Sequence, residues 1–145
     1  MSPPERGSAL LLIPAGFLVV LLLGAISFDL SLLFLRQRQA ASVAADVAND
    51  AATEGLDEPR FRATGTFALD PERARAIARA LLRRSDVGGE LIDADLTVVS
   101  DTVTGDDAVR VRLVVRVDYV FARAIPGAAH SRTVTATATA VARVG

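Results

Sequence analysis

Residues 8–35 read SALLLIPAGFLVVLLLGAISFDLSLLFL, and this stretch decides the fold of the 145-residue chain. Asp29 is its only charged residue, and the 21 positions 8–28 carry no charge. About 20 apolar residues, rising about 1.5 Å each, are enough to cross a bilayer. A secretory signal has a shorter apolar region of about 7–15 residues that ends at small residues. Here the run ends at the polar residues 36–39, RQRQ, which favours a membrane anchor over a cleaved secretory signal.

The helix is predicted to continue beyond the membrane. Residues 36–53 contain no Gly or Pro and are rich in Ala, a strong helix former. Five alanines recur at helical spacing and share one face: Ala41, Ala44, Ala45, Ala48 and Ala52. Small side chains let a helix approach its neighbours closely. This face therefore either packs against partner stems or covers the chain's own sheet. Gly55 marks the predicted helix end.

Residues 55–145 predict an α+β head. Asp70, Pro71 and Glu72 are typical of a helix start, and a short strand is expected over 60–67. Apolar and polar residues alternate over 92–98, 109–121 and 134–142, which predicts an antiparallel sheet of three to four strands. One apolar face of that sheet must be covered, and the long and the short helix are the available covers. The predicted fold is thus a long helical stalk that carries a head in which a short helix packs on the sheet.

Composition and motifs exclude several classes of function. With 16 basic and 17 acidic residues the formal charge is −1, whereas nucleic-acid binders usually carry a basic excess. The absence of Cys excludes disulfides, thiolate metal sites and cysteine nucleophiles. The sequence also lacks a His-centred triad, a Gly-rich phosphate loop and metal-ligand spacing. We therefore expect neither an enzyme nor a bound cofactor, metal or small-molecule substrate.

A few polar residues are candidates for a specific contact or binding site. Asp29, inside the apolar run, either pairs with an Arg of another subunit or lies close to water at the helix end. Asp101, Asp106 and Asp107 surround a turn, and their spacing matches a solvated turn better than a calcium loop. His130 has no second histidine as a metal partner and is expected in a surface loop.

Two blocks of the sequence stand out as motifs. The first is ERGSA at 5–9, followed by the apolar helix and its Ala-rich extension. It is similar to a short prepilin leader ending in Gly and a type IV pilin-like stem. The second is VDYVF at 117–121, IPG at 125–127 and VTATATA at 134–140. It is similar to the way in which TadE-like proteins end, and the two blocks together resemble the TadE/TadG-like pseudopilin family of the bacterial tight-adherence (Flp) pilus system.

The resemblance implies a leader over residues 1–7 that is cut between Gly7 and Ser8. It further implies a transmembrane stem over 8–54 and a head over 55–145. Such a cut would place Leu12 at the fifth mature position, where these pseudopilins usually carry Glu. The family also implies the bacterial inner membrane, with the N-terminus cytoplasmic and the head extracytoplasmic. The charge bias alone, with Arg36 and Arg38 after the span, favours the opposite orientation.

Two functions remain open from the sequence. One is a structural subunit of a tight-adherence pilus or secretion system, whose stem packs with other pilin-like subunits or assembly proteins. The alternative is an uncleaved bitopic envelope protein whose head binds other secretion or envelope components. Removal of residues 1–7 and presence in surface fibres distinguish the two.

Overall fold

A computed structural model describes residues 6–66, 68–100 and 106–142, with side chains from residue 12 onward. Helix α1, Arg6–Glu54, runs for 49 residues and continues through Pro14. At about 1.5 Å per residue it is about 70 Å long. Its end coincides with Gly55, whose N–H donates to the Ala51 carbonyl at 3.1 Å. The prediction of one long N-terminal helix is confirmed.

Two short helices follow α1. A short strand was expected over 60–67, and for the described residues 60–66 this was wrong, because helix α2 spans Glu58–Thr64. Phe67 lies outside the described residues. Asp57 caps α2 by accepting the Arg60 N–H at 3.2 Å, and Pro59 fits the first turn. Helix α3, Pro71–Leu82, begins as predicted, because the Asp70 carboxylate accepts the N–H groups of the first turn.

Three antiparallel strands form one sheet in the order β1-β2-β3. They are β1 (Glu90–Ser100), β2 (Asp107–Asp118) and β3 (Ser131–Val141). The register shifts between Leu91 and Asp93, which leaves Ile92 as an extra residue in β1. Strand β2 ends at Asp118, three residues before the end of the predicted alternation. Within the described residues, the sheet has three strands, the lower end of the expected range.

The core lies between one face of the sheet and the C-terminal half of α1. Helix α1 packs on β2 and β3, and α3 lies beside α1 and reaches β1. The strands contribute alternate residues to this core, among them Val109, Val111, Leu113, Val115, Val134 and Ala136. Because the residues between them point to the opposite face, Arg110, Arg112 and Arg116 of β2 are exposed.

The N-terminal half of α1, which we call its lower half, is not covered by the sheet or by the other helices. Its large apolar side chains from Leu12 to Leu35 are mostly exposed, including Phe17, Leu21, Ile26 and Phe34. This is the one helix in the described parts of the chain that is long and apolar enough to cross a membrane. The first deeply buried side chains on α1 are Asp29 and Leu33. The head therefore meets the helix at Asp29.

Candidate functional site

The site that joins the head to the apolar part of α1 is built around the Asp29 carboxylate. Asp29 is 5% exposed and is the buried charged residue in the described part of the chain. One carboxylate oxygen accepts the Val120 N–H at 2.9 Å, and the other accepts the Ala122 N–H at 2.8 Å. The Phe121 N–H lies 3.2 and 3.1 Å from the two oxygens. Three consecutive backbone N–H groups thus hold one buried anion, as at a helix N-terminus.

The donors belong to the connection between β2 and β3, residues 119–130, which we call the β2–β3 loop. After Asp118 the chain turns into a short 3₁₀ helix, Ala122–Ala124, whose first N–H group, that of Ala122, donates to Asp29. The turn replaces the predicted strand pairing of Phe121, although the Tyr119 N–H still donates to the His130 carbonyl at 2.9 Å. The predicted extension of the strand to Phe121 was therefore wrong.

Apolar contacts surround this polar anchor. The Phe121 ring packs edge-to-face on Phe28, with ring centroids 5.4 Å apart and planes at 87°. A small cavity between the loop and α1 is lined by Leu22, Ala25, Ile26, Asp29, Phe121, Ala122 and Ile125. Phe121, Ala122 and Ile125 of the loop therefore face the part of α1 between Leu22 and Asp29.

A second junction lies beside the first, between α1 and the chain that enters β1. The Gln39 amide donates to the Asp86 carbonyl at 3.1 Å, and the Gly88 N–H donates to the Asp86 carboxylate at 2.9 Å. The Gly88 N–H and then the Gln39 amide lower the pKa of Asp86 more than desolvation raises it, and the charge of Arg36 lowers it slightly further. Gly88 adopts a φ of +81° and lies against the Arg36 carbonyl, so a side chain there would be both strained and crowded.

The five-alanine face of α1 lies mainly against the chain's own head. Ala44, Ala48 and Ala52 are buried in the core cluster with the sheet valines. Ala45 is half-buried, and Ala41 is exposed. Two further alanines that the periodicity did not single out, Ala40 and Ala51, are also fully buried. Of the two uses considered for this face, packing on the chain's own sheet is the one that these contacts support.

The remaining predicted residues do not gather into a site. Gly7 and Ser8 lie in the first turns of α1, in the part of the helix whose side chains are not described. Residues 1–5 and Asp101 lie outside the described residues. Asp107 holds the head together: its carboxylate accepts the Leu69 N–H at 2.8 Å and the Ser100 hydroxyl. His130 is exposed at the end of the β2–β3 loop. Among the described residues no group of His, Asp and Glu is arranged to hold a metal ion.

Comparison with protein-family models finds no match to this chain. Neither the curated proteins nor the solved structures contain a match. The architecture of the chain is an α+β head on a long apolar helix, and its best-defined site is the anchor between Asp29 and the β2–β3 loop. The hydrogen bonds of this anchor attach the β2–β3 loop of the head to the apolar helix.

Proposed function

We propose that this chain is a membrane-anchored, TadE-like pseudopilin or assembly subunit of a tight-adherence pilus or secretion system. In this proposal the lower half of α1 crosses the inner membrane and the head is extracytoplasmic. The protein acts structurally, through contacts of its stem and head with other pilin-like subunits. The Asp29 anchor keeps the head in one orientation on the stem while those contacts form.

The observation that carries the proposal is the division of α1 into two halves with different surroundings. Residues 40–52 supply buried alanines to the core of the head, while the apolar side chains of residues 12–35 remain largely exposed. A single continuous helix therefore serves both as a core element and as a free apolar stem. This is the shape expected of a subunit whose stem inserts among other stems while its head stays outside the apolar layer.

The contacts also limit which part of the stem is free for partners. Because the head covers Ala44, Ala48 and Ala52, a partner stem has little access to that face. The surface that remains is the apolar band of α1, including Leu18, Leu21 and Leu35. We therefore assign stem-to-stem packing to residues 12–35 rather than to the alanine face as a whole.

The bitopic alternative has one specific observation in its favour. A cut after Gly7 would leave Leu12 at the fifth mature position, where a carboxylate would otherwise pair with the terminal amine of a neighbouring subunit. The nearest acid in the apolar run, Asp29, is already bonded to the β2–β3 loop and is not free for that role. An uncut, permanently anchored protein needs no such pair.

The mature N-terminus distinguishes these functions. The protein is extracted from native membranes, and its intact mass and N-terminal sequence are determined. A start at Ser8 would support processing by a prepilin peptidase and the pseudopilin function. A start at Met1 or Ser2 would contradict it in favour of the bitopic envelope protein. A start beyond residue 35 would contradict both, because the product would be a secreted head.

A further inference from the structure

We propose that the β2–β3 loop is a second membrane-contacting element, immersed in the bilayer leaflet that α1 leaves at Asp29. The lipid partners are the acyl chains next to the headgroups, which contact Val120, Phe121 and Ile125. The inference requires α1 to cross the membrane, and it is independent of any function in a pilus. Four features of the loop support it: its depth, its exposed side chains, its backbone hydrogen bonds and its continuity with the span.

The depth of the loop follows from where it touches α1. The uncharged run 8–28 is about 30 Å long, which matches the hydrocarbon thickness of a bilayer and places Asp29 at its edge. The cavity between loop and helix extends from Asp29 to Leu22 and includes Ile125. Leu22 precedes Asp29 by seven residues, or about 10 Å along the helix. The loop residues that line this cavity therefore lie against the side of Asp29 that faces the apolar layer.

The outward side chains of the loop suit that environment. Val120, Phe121 and Ile125 are 46%, 45% and 44% exposed, a large apolar surface for one short connection. Residues 119–130 contain no acidic side chain, and their one arginine, Arg123, is exposed. An arginine near the membrane surface extends its guanidinium toward the headgroups while its stem stays in the apolar layer.

Most backbone N–H groups of the loop donate to acceptors within the protein. Unbonded N–H groups are costly in hydrocarbon, so irregular chain at this depth needs internal acceptors. Asp29 accepts three N–H groups, from Val120, Phe121 and Ala122. Carbonyls within the loop accept four others, from Tyr119, Ala124, Ile125 and Ala128. Pro126 has no N–H to satisfy.

The exposed apolar surface of the loop is continuous with that of the membrane-spanning part of α1, and this identifies lipid as the partner of the loop. The exposed loop side chains adjoin exposed apolar residues of α1 at the same level, namely Leu22, Ile26 and Phe28. Loop and helix thus present one apolar surface, and the lipid that surrounds the helix at this depth also contacts the loop. Amphipathic segments of this kind typically reach about 5–10 Å below the headgroup boundary.

The chain has no Cys, so a single introduced cysteine can be labelled uniquely. We would label Ile125→Cys, and separately Val120→Cys, with an environment-sensitive fluorophore in the full-length chain. Ile26→Cys serves as the reference within the span, and Thr137→Cys, exposed on the far face of the sheet, as the reference in water. Each protein is reconstituted at low density in phosphatidylcholine vesicles. Quenching by doxyl-labelled lipid and by aqueous iodide is then compared.

We expect the labels at positions 120 and 125 to lose as much fluorescence to doxyl lipid as the label at position 26, and to be protected from iodide. Quenching by iodide to the level of position 137 would overturn the proposal, because the loop would then lie in water. Protection from both quenchers would also overturn it, because protein rather than lipid would cover the loop. Absence of lipid quenching at position 26 would overturn its premise that α1 crosses the bilayer.

Discussion

The carboxylate of Asp29 accepts the backbone N–H of Ala122 at 2.8 Å across 93 residues of sequence. With the bonds from Val120 and Phe121, this contact attaches the end of the sheet to the apolar helix. A charge in the apolar part of α1 is tolerated because three donors replace the water that it loses. The same donors would otherwise be unpaired beside an apolar helix. Asp29 and the loop therefore satisfy each other.

Replacement of Asp29 should detach the β2–β3 loop without unfolding the sheet. Asp29→Ala leaves three N–H groups without an acceptor, whereas Asp29→Asn retains one oxygen and should have a smaller effect. The measurement is tryptic cleavage after the exposed Arg123 in the detergent-solubilised full chain. We expect cleavage of the alanine variant to accelerate on the order of tenfold.

Ser27→Ala is the matched control for this variant. Ser27 lies at nearly the same level of α1, but it is exposed and its hydroxyl donates to the Leu23 carbonyl of its own helix. Its cleavage rate should equal that of the unmodified chain. Equal rates in Asp29→Ala and Ser27→Ala would show that the carboxylate does not hold the loop.

The alanine face offers a paired test of what α1 packs against. Ala48 is fully buried in the core, so Ala48→Leu should destabilise the head by about 1–3 kcal/mol through overpacking. Ala41 belongs to the same predicted face but is exposed, and Ala41→Leu should leave stability unchanged. Chemical unfolding in detergent, followed by circular dichroism, measures both. Comparable destabilisation by the two variants would contradict the packing described here.

The centre of the sheet should be more sensitive than either alanine. Leu113 is fully buried and is among the largest side chains in the core. Leu113→Ala removes apolar contacts and leaves a cavity, so we expect a loss of about 2–5 kcal/mol in the same unfolding assay. Val114→Ala, at the neighbouring half-buried position on the other face, is the control and should cost clearly less. A cost as small as that of the control would mean that α1 does not seal this face.

The junction at Asp86 predicts a pH dependence. The Gly88 N–H and Gln39 hold the pKa of Asp86 below its ordinary value of 3.8. A carboxylate whose pKa is lower in the folded state stabilises the fold above its ordinary pKa, and the contribution is lost as the pH falls through the folded value. At pH 7 Asp86→Ala should therefore melt below the unmodified chain, and the part of that difference due to charge should disappear in strong acid.

Asp86→Asn separates charge from hydrogen bonding at this position, because its amide oxygen still accepts the Gly88 N–H. Its melting temperature should fall between the other two at pH 7 and converge on that of the unmodified chain as Asp86 becomes protonated. A melting difference that is the same at pH 7 and in strong acid would show that the charge of Asp86 contributes nothing. The assay uses the full chain in a non-ionic detergent so that only the protein titrates.

Local patterns in the sequence predicted the regular elements well. The absence of Gly and Pro from residues 36–53 predicted that α1 continues to Gly55, the Asp70 cap predicted α3, and alternation predicted a sheet of three to four strands. Helix α2 was missed because seven residues show no clear periodicity, and the signal was instead the Asp57 cap followed by Pro59. The shift at Ile92 depends on how β1 pairs with β2, which a single strand does not encode.

Of the anchor site, the sequence indicated Asp29 but not the groups that bind it. Asp29 was noticeable because a charge in an apolar run requires a partner, but that partner was sought in another subunit or in water. Its donors are backbone N–H groups more than 90 residues away, and backbone groups leave no mark on a sequence. The one local hint was the apolar turn around Phe121, which alternation assigned to the preceding strand. Contacts of this kind follow from the tertiary fold.

The central claim, that the exposed apolar stem packs with other pilin-like stems, is tested most directly by photo-crosslinking in native cells. A benzophenone amino acid replaces Phe17, which is exposed on the lower half of α1, with Thr137 on the head as the comparison site. Adducts are identified by mass spectrometry after irradiation. We predict that position 17 yields an adduct with another single-span protein bearing a pilin-like stem. Adducts with lipid alone at position 17, together with a protein adduct at position 137, would contradict the claim and favour a bitopic protein that binds through its head.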